Sequence, residues 1–214
     1  MWGERRRRKQ LNVSRIAIDV ALDWFITVLE RDRSRQRCLR LWSEFIRIRD
    51  GRRCVMCHDT SGLSAHHIIR KSFIWMMEVE PGNGITLCRS CHREPHEAFN
   101  RRPDLTLPMD AEGGDNIDLT ACFFNALVED ARKRDLLCDE YYFLSDSALR
   151  TFKRFQCINP DLKFPGYRVE QAYLIWRQTS RAVLRLLLEA NGAKLPPDFI
   201  QTGPFTVISI DTVT

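Results

Sequence analysis

The sequence predicts an α+β protein, with a short-stranded middle between helical ends. Three observations predict it. Residues 12–49 and 116–192 run mostly in apolar and polar stretches of helical period. Residues 52–100 break into short apolar pieces interrupted by Cys, His, Gly and Asn. Two Cys-x-x-Cys pairs, Cys54/Cys57 and Cys88/Cys91, bracket that middle.

Taken in order, residues 12–33 read as a first helix, with Asn12 or Ser14 near its start. Asp19 and Asp23 lie four apart, so a helix sets them on one polar face. The basic start and the apolar run that follows look like a secretion signal. Those two aspartates and the lack of a small-residue cleavage site argue against one. The run is also too short and too charged for a bilayer. The expectation is a cytoplasmic protein with no membrane partner. Residues 35–49 suit a second helix, and Asp50-Gly51 a turn.

The middle carries two strand candidates, "RRCVMC" and "LSAHHII", and "LCRSCHREPHEAFN" suits a turn leading into a helix. Beyond the Pro/Gly/Asp loop "PMDAEGGDN", residues 116–137 form a helix. Ser145 caps "DSALRTFKRF", and residues 167–192 form a long helix closed by Asn191-Gly192. The tail "FTVISIDTVT" alternates like a strand. The divisions are a basic helical arm at 1–46, a motif-bearing module at 47–100, and a mainly helical region of unknown role at 101–214. The aromatic residues of "LDWFITV", "ACFFNAL" and "AYLIWRQ" fit apolar helix faces, so core packing is expected of them.

Charge is unevenly spread. The chain of 214 residues carries net charge +5, and residues 1–53 hold fifteen Arg and Lys against seven Asp and Glu. A basic cluster such as "RRRRK" (Arg5–Lys9) favours polyanions, nucleic acid among them, although charge runs are often only solvated faces.

Eight cysteines allow disulfides in a secreted chain, but the two close pairs favour a metal. Cys54, Cys57, Cys88 and Cys91 make a closed four-sulfur set, the pattern of structural Zn²⁺. All five histidines, His58, His66, His67, His92 and His96, lie in or beside the pairs. Such clustering is hard to explain by packing. His66 and His67 are adjacent, so a strand points them to opposite faces. His92 and His96 are four apart and share a helix face, although Pro95 between them threatens a bend. His58 reads as an exposed turn residue.

"CVMC … AHHI … GNGITLCRSCH…H" resembles the HNH endonucleases, over about residues 47–100. The resemblance implies a ββα-metal core with structural zinc, flanked by mainly α-helical N- and C-terminal segments. By resemblance His66 is the first ligand of a catalytic divalent ion and His92 the second. His67 is the general base, and Asn83, nine positions before His92, braces the loop. His96 is a third ligand or a contact to the scissile phosphate. The implied activity is hydrolysis of DNA phosphodiester bonds, with Mg²⁺ or a transition metal such as Mn²⁺, Ni²⁺ or Zn²⁺. Arg70, Lys71, Arg89 and Arg93 are candidate contacts to the DNA backbone. Two other readings stay open: a zinc-dependent nucleic-acid-binding module without catalysis, and a nuclease acting on RNA or RNA–DNA hybrids.

Overall fold

The computed structural model describes residues 2–31, 34–69, 77–97, 117–156, 158–178, 192, 200–202 and 205–207. Helix α1 spans Trp2–Glu30 and α2 Arg35–Arg49. Strands β1, Ser64–His67, and β2, Gly84–Leu87, pair antiparallel, with His66 opposite Ile85 and His67 opposite Gly84. A 3-10 turn, Pro81–Asn83, leads into β2. Helix α3 follows at Arg89–Glu97, then α4 at Ile117–Lys133, α5 at Asp146–Phe155 and α6 at Arg168–Trp176. A second small hairpin pairs β3, Ile200–Thr202, with β4, Phe205–Val207. The class is therefore α+β.

Burial in α2 explains its place. Cys38, Trp42, Phe45, Ile46 and Arg49 all face inward, at the i, i+4, i+7, i+8 and i+11 positions of one helix face. That face lies on α1, whose Ile18, Leu22, Phe25 and Val28 are buried, and on the β1–β2 hairpin. On the C-terminal side Phe124 of α4, Phe152 of α5 and Trp176 of α6 are buried together. The Phe124–Phe152 centroids lie 5.9 Å apart and the Phe152–Trp176 centroids 5.6 Å. Apart from Val28, Cys38 and Arg49, these residues belong to one contiguous apolar cluster.

Several elements differ from the sequence expectation. Helix α1 begins at Trp2, ahead of residue 12, because Arg, Lys, Glu and Gln are good helix formers even without an apolar stripe. Residues 52–57 are turn and bend, not a strand. Gly51 and Arg52 have φ of 74° and 51°, which turns the chain too sharply for a strand, and the "GITL" segment supplies β2 instead. Helix α3 starts at Arg89 and runs through Pro95. Of the long helix expected at 167–192, α6 accounts for 168–176, with turn and bend at 177–178; residues 179–191 lie outside the described set. Trp24 is 56% exposed, so it is not a core residue, whereas its neighbour Phe25 is 1% exposed. Ser145 does cap α5, its hydroxyl accepting the Ala148 N–H at 3.1 Å. Asp19 and Asp23 are both exposed, as a polar face requires. Among the described residues no helix is long and apolar enough to cross a membrane.

Candidate metal and nuclease site

The cysteine set comes together from two loops. Cys54 and Cys57 lie in the turn after α2, which is pinned to the hairpin by Val55 N–H donating to the Thr86 carbonyl at 2.9 Å. Cys88 directly follows β2, and Cys91 sits in the first turn of α3. All four sulfurs lie within 4.8 Å of one another, and Cys57 Sγ is 3.5 Å from Cys88 Sγ. A tetrahedral zinc with about 2.3 Å bonds needs sulfurs about 3.8 Å apart, so the set fits that ion. The Ser90 hydroxyl, 3.1 Å from Cys88 Sγ, pulls that thiol down to about 6, and burial pushes the Cys91 thiol up. A thiol already inclined to ionise is the form a metal binds. His58, just past Cys57, is exposed with φ 65° and contacts Arg53.

The adjacent histidines separate as a strand requires. His66 is 8% exposed and points toward α3 and α4. Its ring meets His92 edge-on at 5.0 Å between centroids and Phe123 at 5.7 Å. His67 turns the other way, toward α2. Its ring lies flat on the Trp42 indole, 4.2 Å between centroids and 10° between planes. Its Nε2–H donates to the Glu78 carbonyl at 2.7 Å.

Asn83 is fully buried in the 3-10 turn. Its Oδ1 accepts the Ile69 N–H at 2.8 Å and its Nδ2 donates to the Ile69 carbonyl at 3.0 Å. The Ile68 N–H also donates to the Asn83 carbonyl at 2.9 Å. Both ends of the hairpin loop are thus tied by one side chain. Arg89 and Arg93 are exposed on α3. Arg70 and Lys71 lie outside the described residues, and so does the His96 side chain.

A buried polar network behind the loop was not anticipated. Arg49 and Asp50, at the end of α2, are both 0% exposed. Arg49 donates to the Asp50 carboxylate at 2.8 Å, to the Pro81 carbonyl at 2.6 Å and to the Gly84 carbonyl at 2.7 Å. Asp50 in turn accepts the Thr86 N–H at 2.8 Å. Arg134, from the turn after α4, caps the Arg49 carbonyl at 2.5 Å and pairs with Asp130 at 2.8 Å. The Arg49 guanidinium also stacks on the Tyr142 ring at 4.3 Å. This network clamps the two carbonyls that flank Asn83. In the sequence Arg49 reads as one more surface arginine. The only signal for it is its place on the Trp42–Phe45–Ile46 face of α2.

No curated protein and no solved structure matches the chain. One family model does match, that of the HNH endonuclease, over residues 54–98. The cysteine set, the hairpin, Asn83 and α3 all fall inside those bounds, so the match covers the part of the chain that builds this site.

Proposed function

We propose that the protein is a metal-dependent endonuclease that hydrolyses DNA phosphodiester bonds, with His67 as general base. The carrying observation is the division of labour at His66 and His67. One ring meets His92 edge-on, and the other is held apart from that pair by the Glu78 carbonyl. Two imidazoles on one ion at about 2.1 Å place their centroids roughly 5 Å apart, so His66 and His92 suit a shared divalent ion. Charge relief on the phosphate and on the departing 3′ oxygen is what such an ion, Mg²⁺ or a transition metal, supplies when bound.

The chain's own groups do the rest. His67, with its proton held on Nε2, takes the proton of the attacking water. That water attacks phosphorus, the 3′ oxygen leaves, and a 5′-phosphate remains. Asn83 fixes the backbone at Ile69, just beyond the base, and so limits drift of the strand end. Arg89 and Arg93 hold flanking phosphates, and the Arg5–Lys9 cluster contributes to binding without reading sequence. His96 serves as a further ligand or a phosphate contact. The Cys54–Cys57–Cys88–Cys91 zinc is structural, since four thiolates leave no open position.

The test is cleavage of supercoiled plasmid across Mg²⁺, Mn²⁺, Ni²⁺ and Zn²⁺, with RNA and RNA–DNA hybrid as parallel arms. His67→Ala is expected to lose about 10²- to 10⁴-fold in rate, with no recovery on adding metal. His66→Ala is expected to recover partly at higher metal concentration. Rescue of His67→Ala but not of His66→Ala would exchange the two roles. Normal cutting by both variants would sink the assignment. A wild-type protein that binds DNA but cuts nothing with any ion would be the binding module instead.

A further inference from the structure

Trp42 has a second task besides filling the core. Its indole lies face to face with the His67 ring, and its Nε1–H donates to the Glu80 carbonyl at 3.2 Å. The carbonyl that accepts from His67 belongs to Glu78, two residues earlier in the same segment. One side chain of α2 thereby touches the imidazole and ties down the segment that holds its edge.

The sequence makes room for this contact at one place. Gly84 stands opposite His67 in the hairpin register. A Cβ there would meet Trp42 Cζ2 at 2.6 Å and Ile46 Cδ1 at 2.7 Å. Real Cβ contacts are not that close, so any larger residue displaces the indole. Gly84 has φ of −113°, an ordinary extended value, so no conformational demand accounts for the glycine. Space for Trp42 and Ile46 does.

We infer that Trp42 is a positioning residue for His67, locking the imidazole plane, while the Glu78 carbonyl selects the Nε2–H tautomer. The inference rests on the reading of His67 as general base. A hydrogen bond at the ring edge holds a nitrogen but does not by itself fix the ring plane. A flat stack on its face fixes that plane, and misplacement of about 1 Å at a reacting group can cost about 10²-fold.

The test uses the full-length, zinc-loaded protein with isotopically labelled histidine, His67→Gln serving to assign the resonances. Stacking on the indole is expected to shift the His67 ring protons upfield, with the proton on Nε2. Trp42→Leu should abolish the shift and mix the tautomers. It should lower kcat by about 10- to 100-fold while KM for DNA and the bound zinc stay unchanged. Trp42→Phe, which keeps a flat ring, should stay within about threefold of wild type. Gly84→Ala should act like Trp42→Leu. Should Trp42→Leu fail to fold, Trp42→Phe and Gly84→Ala decide. An unshifted His67 in the wild type would overturn the inference. So would a Trp42→Leu protein that loses the shift but keeps wild-type kcat. Failure of the wild type to cut would remove the general-base reading, while the ring shift would still report whether Trp42 holds His67.

Discussion

The two halves of the molecule are held together differently. In the middle, short strands and loops are joined by four sulfurs, one buried asparagine and one buried arginine. On the C-terminal side, α4, α5 and α6 meet through Phe124, Phe152 and Trp176. Strands of four residues bury too little apolar area to hold a backbone in place, so directional bonds take over. Three helices bury enough to need few such bonds. The difference teaches that the middle is specified by individual residues and the helical side by a pattern that tolerates exchange.

The largest expected effect breaks the middle alone. Cys88→Ser removes one zinc ligand, and structural zinc sites supply about 10 kcal/mol or more of folding energy. Metal analysis should show zinc lost, and hydrogen exchange should show protection lost over residues 54–97 before residues 117–156. Phe152→Ala makes the opposite cut. Opening the cavity between Phe124 and Trp176 should cost about 3–5 kcal/mol by denaturant unfolding, with zinc still bound at neutral pH. If either variant melts both halves together and equally, the contrast is wrong.

Arg49→Met sharpens the comparison. It leaves Asp50 buried with its guanidinium partner gone, which should cost about 3–5 kcal/mol. The proposed cleavage activity should fall further than stability alone explains, because the carbonyls beside Asn83 lose their donor. The smallest effect is Ser145→Ala. Losing the N-cap of α5 should cost about 1 kcal/mol and leave the zinc untouched.

That contrast also accounts for what was legible in the sequence. Cys54, Cys57, Cys88 and Cys91 are readable because a metal demands those residue types at that spacing. Helix α2 is readable to the residue, since its apolar face keeps one period from Cys38 to Arg49. The hairpin is not. Four residues, "GITL", contain too little alternation to stand out, and the apolar "RRCVMC" competes for the same role until the turn at Gly51 and Arg52 excludes it. The opposed directions of His66 and His67 follow from adjacency in a strand. Their contacts with His92 and Trp42 do not, because they depend on how separate elements meet. Arg49 was hidden for the same reason: its place on the Trp42–Phe45–Ile46 face hints at burial, but the carbonyls that make a buried guanidinium tolerable come from other elements.

Gly82, beside Asn83, bears on how this site could be moved. A Cβ at that position would lie 2.5 Å from Leu144 Cγ and 2.6 Å from the Tyr142 carbonyl, and the Gly82 N–H donates to the Phe143 carbonyl at 2.8 Å. The loop before β2 is thus welded, backbone against backbone, to the segment leading into α5. A fragment trimmed to residues 54–98 would sever that weld and bare the underside of the loop. Anyone grafting the site onto another scaffold, or choosing a minimal expressible piece, has to carry residues 141–145 along with it.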